Sequence, residues 1–439
     1  MLFSNIGILD SELNYRPNMF VGTQGKLITY IGSEHPTAAA TATPASTDFG
    51  EEFDGRGKLL MPGLYNMHAH STMTLLRGYA ENLPLQRWLT EMVFPFEAKI
   101  TDEAALPATR LAIAEMLRYG TVSFSDMYFF DDARAQAVGE SGIKCNLCSC
   151  ISVFDPEVHY KDTPFAALNQ HIYDDLRGEF EGRLQMDMCL HSEYTTTPTI
   201  VREVAEQTLE YGVGMHIHVS ETQSEVAECK ERHSGMTPPQ YLASLGVFDA
   251  RTTAAHCVWL EDDDYAVLRE HDVTIATNPA SNLKLGSGFL PRPRVCEEGI
   301  RLAIGTDGVA SNNSQNMFRE MYMLATIHRG FEHNTVGLSP RNVLKTATTA
   351  GAYAQGRADC GRIEEGCAAD LVVLDIDNPW MQPVTNMLTN VVYSESGEDV
   401  VLTMVDGKVV YRDGEWPGID VEKAIAETQQ HRDNIVESL

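Results

Sequence analysis

The stretch Met61-Pro62-Gly63-Leu64-Tyr65-Asn66-Met67-His68-Ala69-His70 decides how this chain is read. It is largely apolar until it closes on two histidines separated by one residue, and it reads as a buried strand. At a strand end, residues i and i+2 point to the same side, so both imidazoles can reach one ion. His-x-His alone is a weak signal. It gains weight from three later segments that each end in a matching ligand type.

Working outward, apolar runs recur at 60–68, 120–128, 144–153, 184–191, 213–219, 252–258, 273–278 and 301–306. Stretches of helical character separate most of them, among them Asp102 to Tyr119, Pro198 to Tyr211 and Asp262 to His271. Strands buried on both faces and alternating with helices indicate a parallel sheet, and eight such units predict an α/β fold, a closed (β/α)8 TIM-type barrel, over residues 59–359. An open doubly wound sheet is the alternative. It would carry a Gly-rich phosphate loop after its first strand, where His-Ala-His stands here.

The flanks have a different character. Gly25 to Gly32 and Ala369 to Asp375 read as strands, and Val401 to Tyr411 as a hairpin turned at Asp406-Gly407. One small β-sandwich domain built from both chain ends, 1–58 and 360–420, follows from this, with a C-terminal helix at 421–439. The Ala/Thr/Pro-rich segment from Pro36 to Asp48 reads as an exposed loop.

The chain has 439 residues, 43% apolar and 22% charged, as expected of a globular protein. Thirty-three basic against 62 acidic residues give a net charge of −29, which repels nucleic acid and anionic membranes. A small neutral or zwitterionic molecule fits such a surface as the partner, although solubility alone also accounts for the acidity. The nine cysteines show no repeated spacing, and Cys145, Cys148 and Cys150 lack a second Cys-x-x-Cys that would complete a zinc site. They read as reduced core thiols. The N-terminal stretch does not resemble a signal sequence, and no run reaches the ~18 apolar residues needed to span a bilayer, so the expected location is the cytoplasm.

In barrels of this kind the chemistry sits at the C-terminal strand ends. Those ends supply His68, His70, Asp126, the Ser149–Cys150 region, His191, His218, His256, Asn278 and Asp307. His216 and His218 share a strand face; His218, nearer the end, is assigned to a metal and His216 to packing or support, with the reverse left open. Asp307 completes a His3Asp set with His68, His70 and His218, leaving one position for a water, as a catalytic zinc requires. His191 stands where a lysine carbamate would bridge two ions, so one divalent metal per chain is expected. Zinc suits the ligands; Fe²⁺ and Mn²⁺ remain open. Glu221, His256 and Asp307 are the candidates for proton transfer.

The ordered series of motifs resembles the amidohydrolase superfamily, and within it the S-adenosylhomocysteine/5'-methylthioadenosine deaminase branch. Pro62 to His70, Leu76-Arg77-Gly78, Trp88-Leu89, Pro95-Phe96-Glu97 and Phe124 to Tyr128 carry the likeness. So do His218 to Thr222, His256-Cys257-Val258, Asn278 to Leu285, Gly305 to Asn313 and Gly366 to Leu374. The resemblance implies that His68, His70, His218 and Asp307 hold the metal. It implies that His256 and Asp307 orient and deprotonate the water, and that Glu221 protonates the ring nitrogen beside the attacked carbon. Asp307 then passes a proton to the departing amine. Trp88, Glu97, His191, Glu221 and Ser311 are the implied substrate contacts, with Glu97 on the ribose hydroxyls. Homo-oligomers are also implied.

Two departures from the branch stand out. His191-Ser192-Glu193-Tyr194 places an additional carboxylate where the branch has Ser/Ala-Pro, and Lys144 to Pro164 contains no arginine to grip a homocysteine carboxylate. Lys144 and Lys161 are the nearest cations in sequence. A neutral nucleoside (5'-methylthioadenosine, 5'-deoxyadenosine or adenosine) is therefore expected over S-adenosylhomocysteine. Three rivals stand beside this. The first is hydrolysis of another aminated or chlorinated N-heterocycle such as guanine, pterin, cytosine or an s-triazine. The second is a small-fold zinc deaminase, which lacks its Pro-Cys-x-x-Cys here. The third is a non-catalytic metal- or ligand-binding barrel.

Overall fold

The computed structural model describes residues 1–36, 48–331 and 333–439. Most of the expected Pro36–Asp48 loop lies outside the described residues. Two sheets organise the chain, and the decisive stretch crosses from one to the other.

The first sheet takes strands from both flanks: β1 (Leu2–Leu9), β2 (Tyr15–Gln24), β3 (Leu27–Gly32), β4 (Glu52–Asp54) and β5 (Lys58–Pro62). The second is the barrel: β6 (Leu64–Ala69), β7 (Thr121–Tyr128), β8 (Lys144–Ser149), β9 (Leu184–Ser192), β10 (Gly214–Val219), β11 (Thr252–His256), β12 (Thr274–Thr277) and β13 (Arg301–Ile304). The chain then returns to the first sheet with β14 (Leu371–Asp375), β15 (Val400–Val405) and β16 (Lys408–Arg412).

The barrel strands are parallel and adjacent in sequence order from β6 to β13. The ring closes where Ala69 bridges Asp307 and the Asp307 N–H donates to the His68 carbonyl at 2.8 Å. Every residue of β6, β7, β8 and β10 is buried, so these strands have both faces covered, as a parallel sheet requires. Helices cover the outside with ordinary stop and start signals. Helix Pro198–Tyr211 begins at Thr197, whose side chain accepts from the Ile200 N–H, and ends at Gly212 in the left-handed region (φ 63°).

The expected first strand is in fact two. The apolar run breaks at Pro62-Gly63: β5 pairs antiparallel with β14, and β6 pairs parallel with β7. Proline lacks the N–H that would continue the ladder, and a Cβ on Gly63 would lie 2.3 Å from Val122 Cγ1, so only glycine passes this close. Hydrophobicity cannot register the break, because both halves are buried.

The flanking strands form one hydrogen-bonded sheet, ordered β16-β15-β14-β5-β1-β2-β3 with β4 beside β1. It curls back on itself, since Leu27 of β3 bridges Ala368 just before β14. Phe3, Ile6, Val21, Leu371, Val373 and Met404 share its apolar interior. Asp406 (φ 47°) and Gly407 (φ 72°) make the β15–β16 turn. Helix Val421–Ser438 packs against Asp102–Arg118.

Candidate active site and metal centre

Four imidazoles and one carboxylate converge at the C-terminal end of the barrel. His68 and His70 leave β6, His218 leaves β10, His256 ends β11, and Asp307 follows β13. Ring centroids of His68 lie 4.8 Å from those of His70 and His218 and 5.4 Å from that of His256. Ser220, His256, Cys257 and Asp307 all have positive φ (50°, 72°, 49° and 61°). Non-glycine residues rarely adopt this conformation, and it recurs here just where β10, β11 and β13 end; of the four, His256 and Asp307 face the pocket.

Each ring is oriented from behind. His70 Nδ1–H donates to the Met127 carbonyl, and His218 Nδ1–H donates to the His191 carbonyl at 2.6 Å. Nδ1 of His68 lies 3.0 Å from Nε2 of His216. These contacts leave the three Nε2 lone pairs facing one another and Asp307. Asp307 Oδ1 is 3.0 Å from His70 Nε2 and 3.6 Å from His68 Nε2. Burial pushes the pKa of His68 and His218 well below the ordinary imidazole value, so both rings are neutral. Burial also lowers that of His70, but the bond to Asp307 outweighs it and raises the value to about 9.

These residues fit a divalent cation. His68 Nε2 is buried and has no hydrogen-bond partner, an arrangement that costs roughly 1–3 kcal/mol if nothing else engages the atom. His68, His70 and Asp307 offer ligand atoms within 4.8 Å of one another, as do His68, His218 and His256. Imidazole donors backed by carbonyls or a second imidazole are the arrangement by which metal-ligating histidines are held in one tautomer.

The acid–base groups stand beside this cluster. His256 Nδ1–H donates to Asn282 Oδ1 at 2.8 Å, which leaves Nε2 open, 3.8 Å from Glu221 Oε2. Burial raises the Glu221 pKa, favouring a neutral carboxyl, while nearby His256 opposes that shift. Ser287 donates to Glu221 Oε1 at 3.3 Å. Asp307 Oδ2 accepts from Ser281 and from Ser311, the latter at 3.1 Å. Although burial pushes its pKa up, the bond to His70 holds the Asp307 carboxyl well below the usual range.

Above the cluster lies a cavity of about 240 Å³. Trp88, Glu97, His191, Glu221 and Ser311 all line it, together with His70, His218, His256 and Asp307. His68 lies beneath, fully buried. Glu97 Oε1 accepts from the Tyr128 hydroxyl, and burial raises its pKa to about 7. Burial lowers the His191 pKa to about 4, so the ring is neutral. The remaining walls are mostly apolar: Leu85, Leu89, Val93, Phe94, Phe129 and Phe154. Among the described residues, the lining contains no lysine or arginine.

Several expectations are corrected. Glu193 is not a pocket carboxylate; it is buried facing away and paired with Arg232 (2.7 Å) and His233 (2.6 Å). It therefore presents no unpaired charge to a substrate. Lys144 sits at the other end of β8, 2.6 Å from both Asp370 and Asp406, and Lys161 is exposed outside the pocket. Asp126 is no ligand: it pairs with the fully buried Arg134 at 3.1 Å and accepts from the Ser71 N–H and hydroxyl. Ser281, Asn282 and Tyr128 show no role in the sequence, although all three lie in the quoted motifs. Their partners, Asp307, His256 and Glu97, come from other elements.

Comparison with known proteins gives a consistent result. Residues 59–410 match the family described as "Amidohydrolase family". The chain is 36% identical over 442 residues, 99% of its length and 98% of the relative's, to a 5-methylthioadenosine/S-adenosylhomocysteine deaminase of Caldanaerobacter subterraneus subsp. tengcongensis. It is 40% identical over 388 residues, 88% of this chain and 89% of the other, to a 5'-deoxyadenosine deaminase of Methanothermobacter thermautotrophicus. Among solved structures, an adenosine deaminase from Xanthomonas campestris with bound zinc superposes with a TM-score of 0.91 at 30% identity, covering 99% of this chain and 98% of that one.

Proposed function

The chain belongs to the amidohydrolase family, and from that premise we propose that it removes the amino group of adenosine-type nucleosides by hydrolysis, releasing ammonia. The observation that carries this is the pocket itself. Two buried carboxylates and an open imidazole nitrogen surround a cation-fitting cluster at one end, and Glu97 stands among apolar walls at the other.

His68, His70, His218 and Asp307 are the residues that would hold the ion, with zinc the best match to three imidazoles and a carboxylate. When bound, such an ion supplies a Lewis acid that lowers the pKa of water toward ~7. The chain's own groups account for the rest. His256, fixed through Asn282, and Asp307, fixed through Ser281 and Ser311, orient the attacking water and take its proton. Glu221, whose pKa burial raises, donates to the ring nitrogen beside the attacked carbon, which an aromatic ring needs before it accepts a nucleophile. Asp307 returns a proton to the amine as it leaves. Glu97 accepts hydrogen bonds from the ribose hydroxyls, and Trp88 and His191 flank the base.

A substituent at the 5' position meets apolar side chains and no cation, so 5'-methylthioadenosine, 5'-deoxyadenosine and adenosine are the preferred substrates. S-adenosylhomocysteine would bring a carboxylate with no partner among the lining residues. Ammonia release should be measured on these four compounds, with guanine, cytosine and an s-triazine for contrast, and metal content determined in parallel. Turnover of the neutral adenosines with about one ion per chain is the expected result. Turnover of guanine or the triazine alone would overturn the nucleoside reading, and a specificity constant for S-adenosylhomocysteine at or above that for methylthioadenosine would overturn the preference.

A further inference from the structure

A second cluster of ligand-type side chains stands apart from the pocket. Glu193 opens the turn after β9, and Cys229 and His233 lie four residues apart at the end of helix Gln223–Arg232, on one face. Their ligand atoms all fall within 4.8 Å of one another. None of the three lines the pocket. The Glu193 and Cys229 side chains are buried, whereas the His233 side chain remains 16% exposed and gives access from solvent. Tyr241 stacks on the His233 ring (3.6 Å between centroids, 14° between planes) and fixes its orientation.

We propose that Glu193, Cys229 and His233 form a second binding site, for a thiophilic divalent ion such as zinc. Carboxylate oxygen, thiolate sulfur and imidazole nitrogen are the three donor types that zinc takes from proteins, and three of them leave a fourth position for water. Charge supports the assignment. Carboxylate and thiolate together carry two negative charges, which a divalent ion neutralises in a buried place. Arg232 supplies positive charge beside Glu193, donating to its two oxygens at 3.2 and 2.7 Å, and His233 Nε2 lies 2.6 Å from Oε1. Arg232 has a second partner on its exposed side, Glu228 at 3.3 Å, so it can release Glu193 without losing its own ion pair. Binding would displace the thiol proton of Cys229 and any proton on His233 Nε2 to solvent.

This site is independent of the deaminase reading, and the two are tested separately because the catalytic cluster contains no sulfur. The enzyme carrying a single equivalent of zinc, enough to fill the His68 cluster alone, reduced and free of chelator, is titrated with cobalt(II). A sulfur-to-cobalt charge-transfer band in the near ultraviolet, saturating at one added equivalent, is the expected result. Cobalt entering the His68 cluster gives no such band. Cys229→Ser should abolish it, and His233→Gln should weaken binding at least tenfold, each leaving ammonia release unchanged. Cys296→Ser, which removes the exposed thiol, should keep the band. Absence of the band in the wild type, its survival in Cys229→Ser, or its loss in Cys296→Ser would overturn the proposal.

Discussion

The Tyr128 hydroxyl donates to Glu97 Oε1 at 2.6 Å, joining the end of β7 to the short helix Phe94–Glu97 across one wall of the pocket. Glu97 is ionised only above a pKa of about 7, and a protonated carboxyl is a poorer acceptor for ribose hydroxyls. KM for methylthioadenosine should therefore rise as the pH falls from 8 to 6. Tyr128→Phe removes a bond that favours the ionised form, so that rise should begin at higher pH. Glu97→Ala should raise KM by roughly 10- to 100-fold, the worth of a hydrogen bond to a charged group, with a smaller change in kcat. Steady-state kinetics across this range check all three.

His216 touches His68 and does not line the pocket. His216→Phe removes the group that fixes the His68 tautomer, and should cost roughly 10- to 100-fold in metal affinity. Metal content after dialysis should fall, while excess zinc should restore most of the activity at unchanged KM. A variant that keeps its metal through dialysis would rule out this supporting role.

Ser281 and Ser311 both donate to Asp307 Oδ2. Hydrogen bonds to an ionised carboxylate hold its pKa down, and that of Asp307 is already depressed by His70. Ser281→Ala should move the acid limb of the kcat profile to higher pH and lower kcat about tenfold, with Ser311→Ala acting in the same direction. The pH–rate profile of each variant provides the measurement.

Glu320 is a fully buried carboxyl that accepts from the Ala280 N–H and the Asn312 side chain, each at 2.9 Å. Burial raises its pKa from 4.5 to about 7. A carboxyl with a folded pKa above its unfolded one binds protons more tightly when folded. Its contribution to stability is complete below about 4.5 and is lost as the pH rises through about 7. Glu320→Gln removes that titration, so Tm should fall less between pH 5 and 8 in the variant than in the wild type, as scanning calorimetry would report.

The barrel and its metal-type cluster were legible because their signals are local. His68 and His70 announce themselves by an i, i+2 spacing, and His218, His256 and Asp307 by standing at the ends of apolar runs. The break at Gly63 was hidden, since burial on both sides of it gives one unbroken hydrophobic run. Glu193 was misread for a related reason: its neighbours in sequence line the pocket, but its partners Arg232 and His233 come from another element. The same holds for Ser281 on Asp307 and Tyr128 on Glu97. Spacing encodes direction along one strand or helix, whereas a side chain's partner is set by how separate elements pack.

The junction at Pro62-Gly63 also bears on how the protein assembles. The strand that delivers His68 and His70 continues from β5, and β5 pairs with β14 through Leu59 opposite Leu374. Joining segments so distant along the chain means closing a very long loop before the contact stabilises anything, which slows folding. During synthesis the first two imidazoles emerge early, yet the sheet that anchors their strand stays incomplete until β14 has left the ribosome. Assembly of the catalytic cluster is thus coupled to one of the last strands made, and a chain stopped before β14 should fail to gather its metal even though all the ligands proposed here are present.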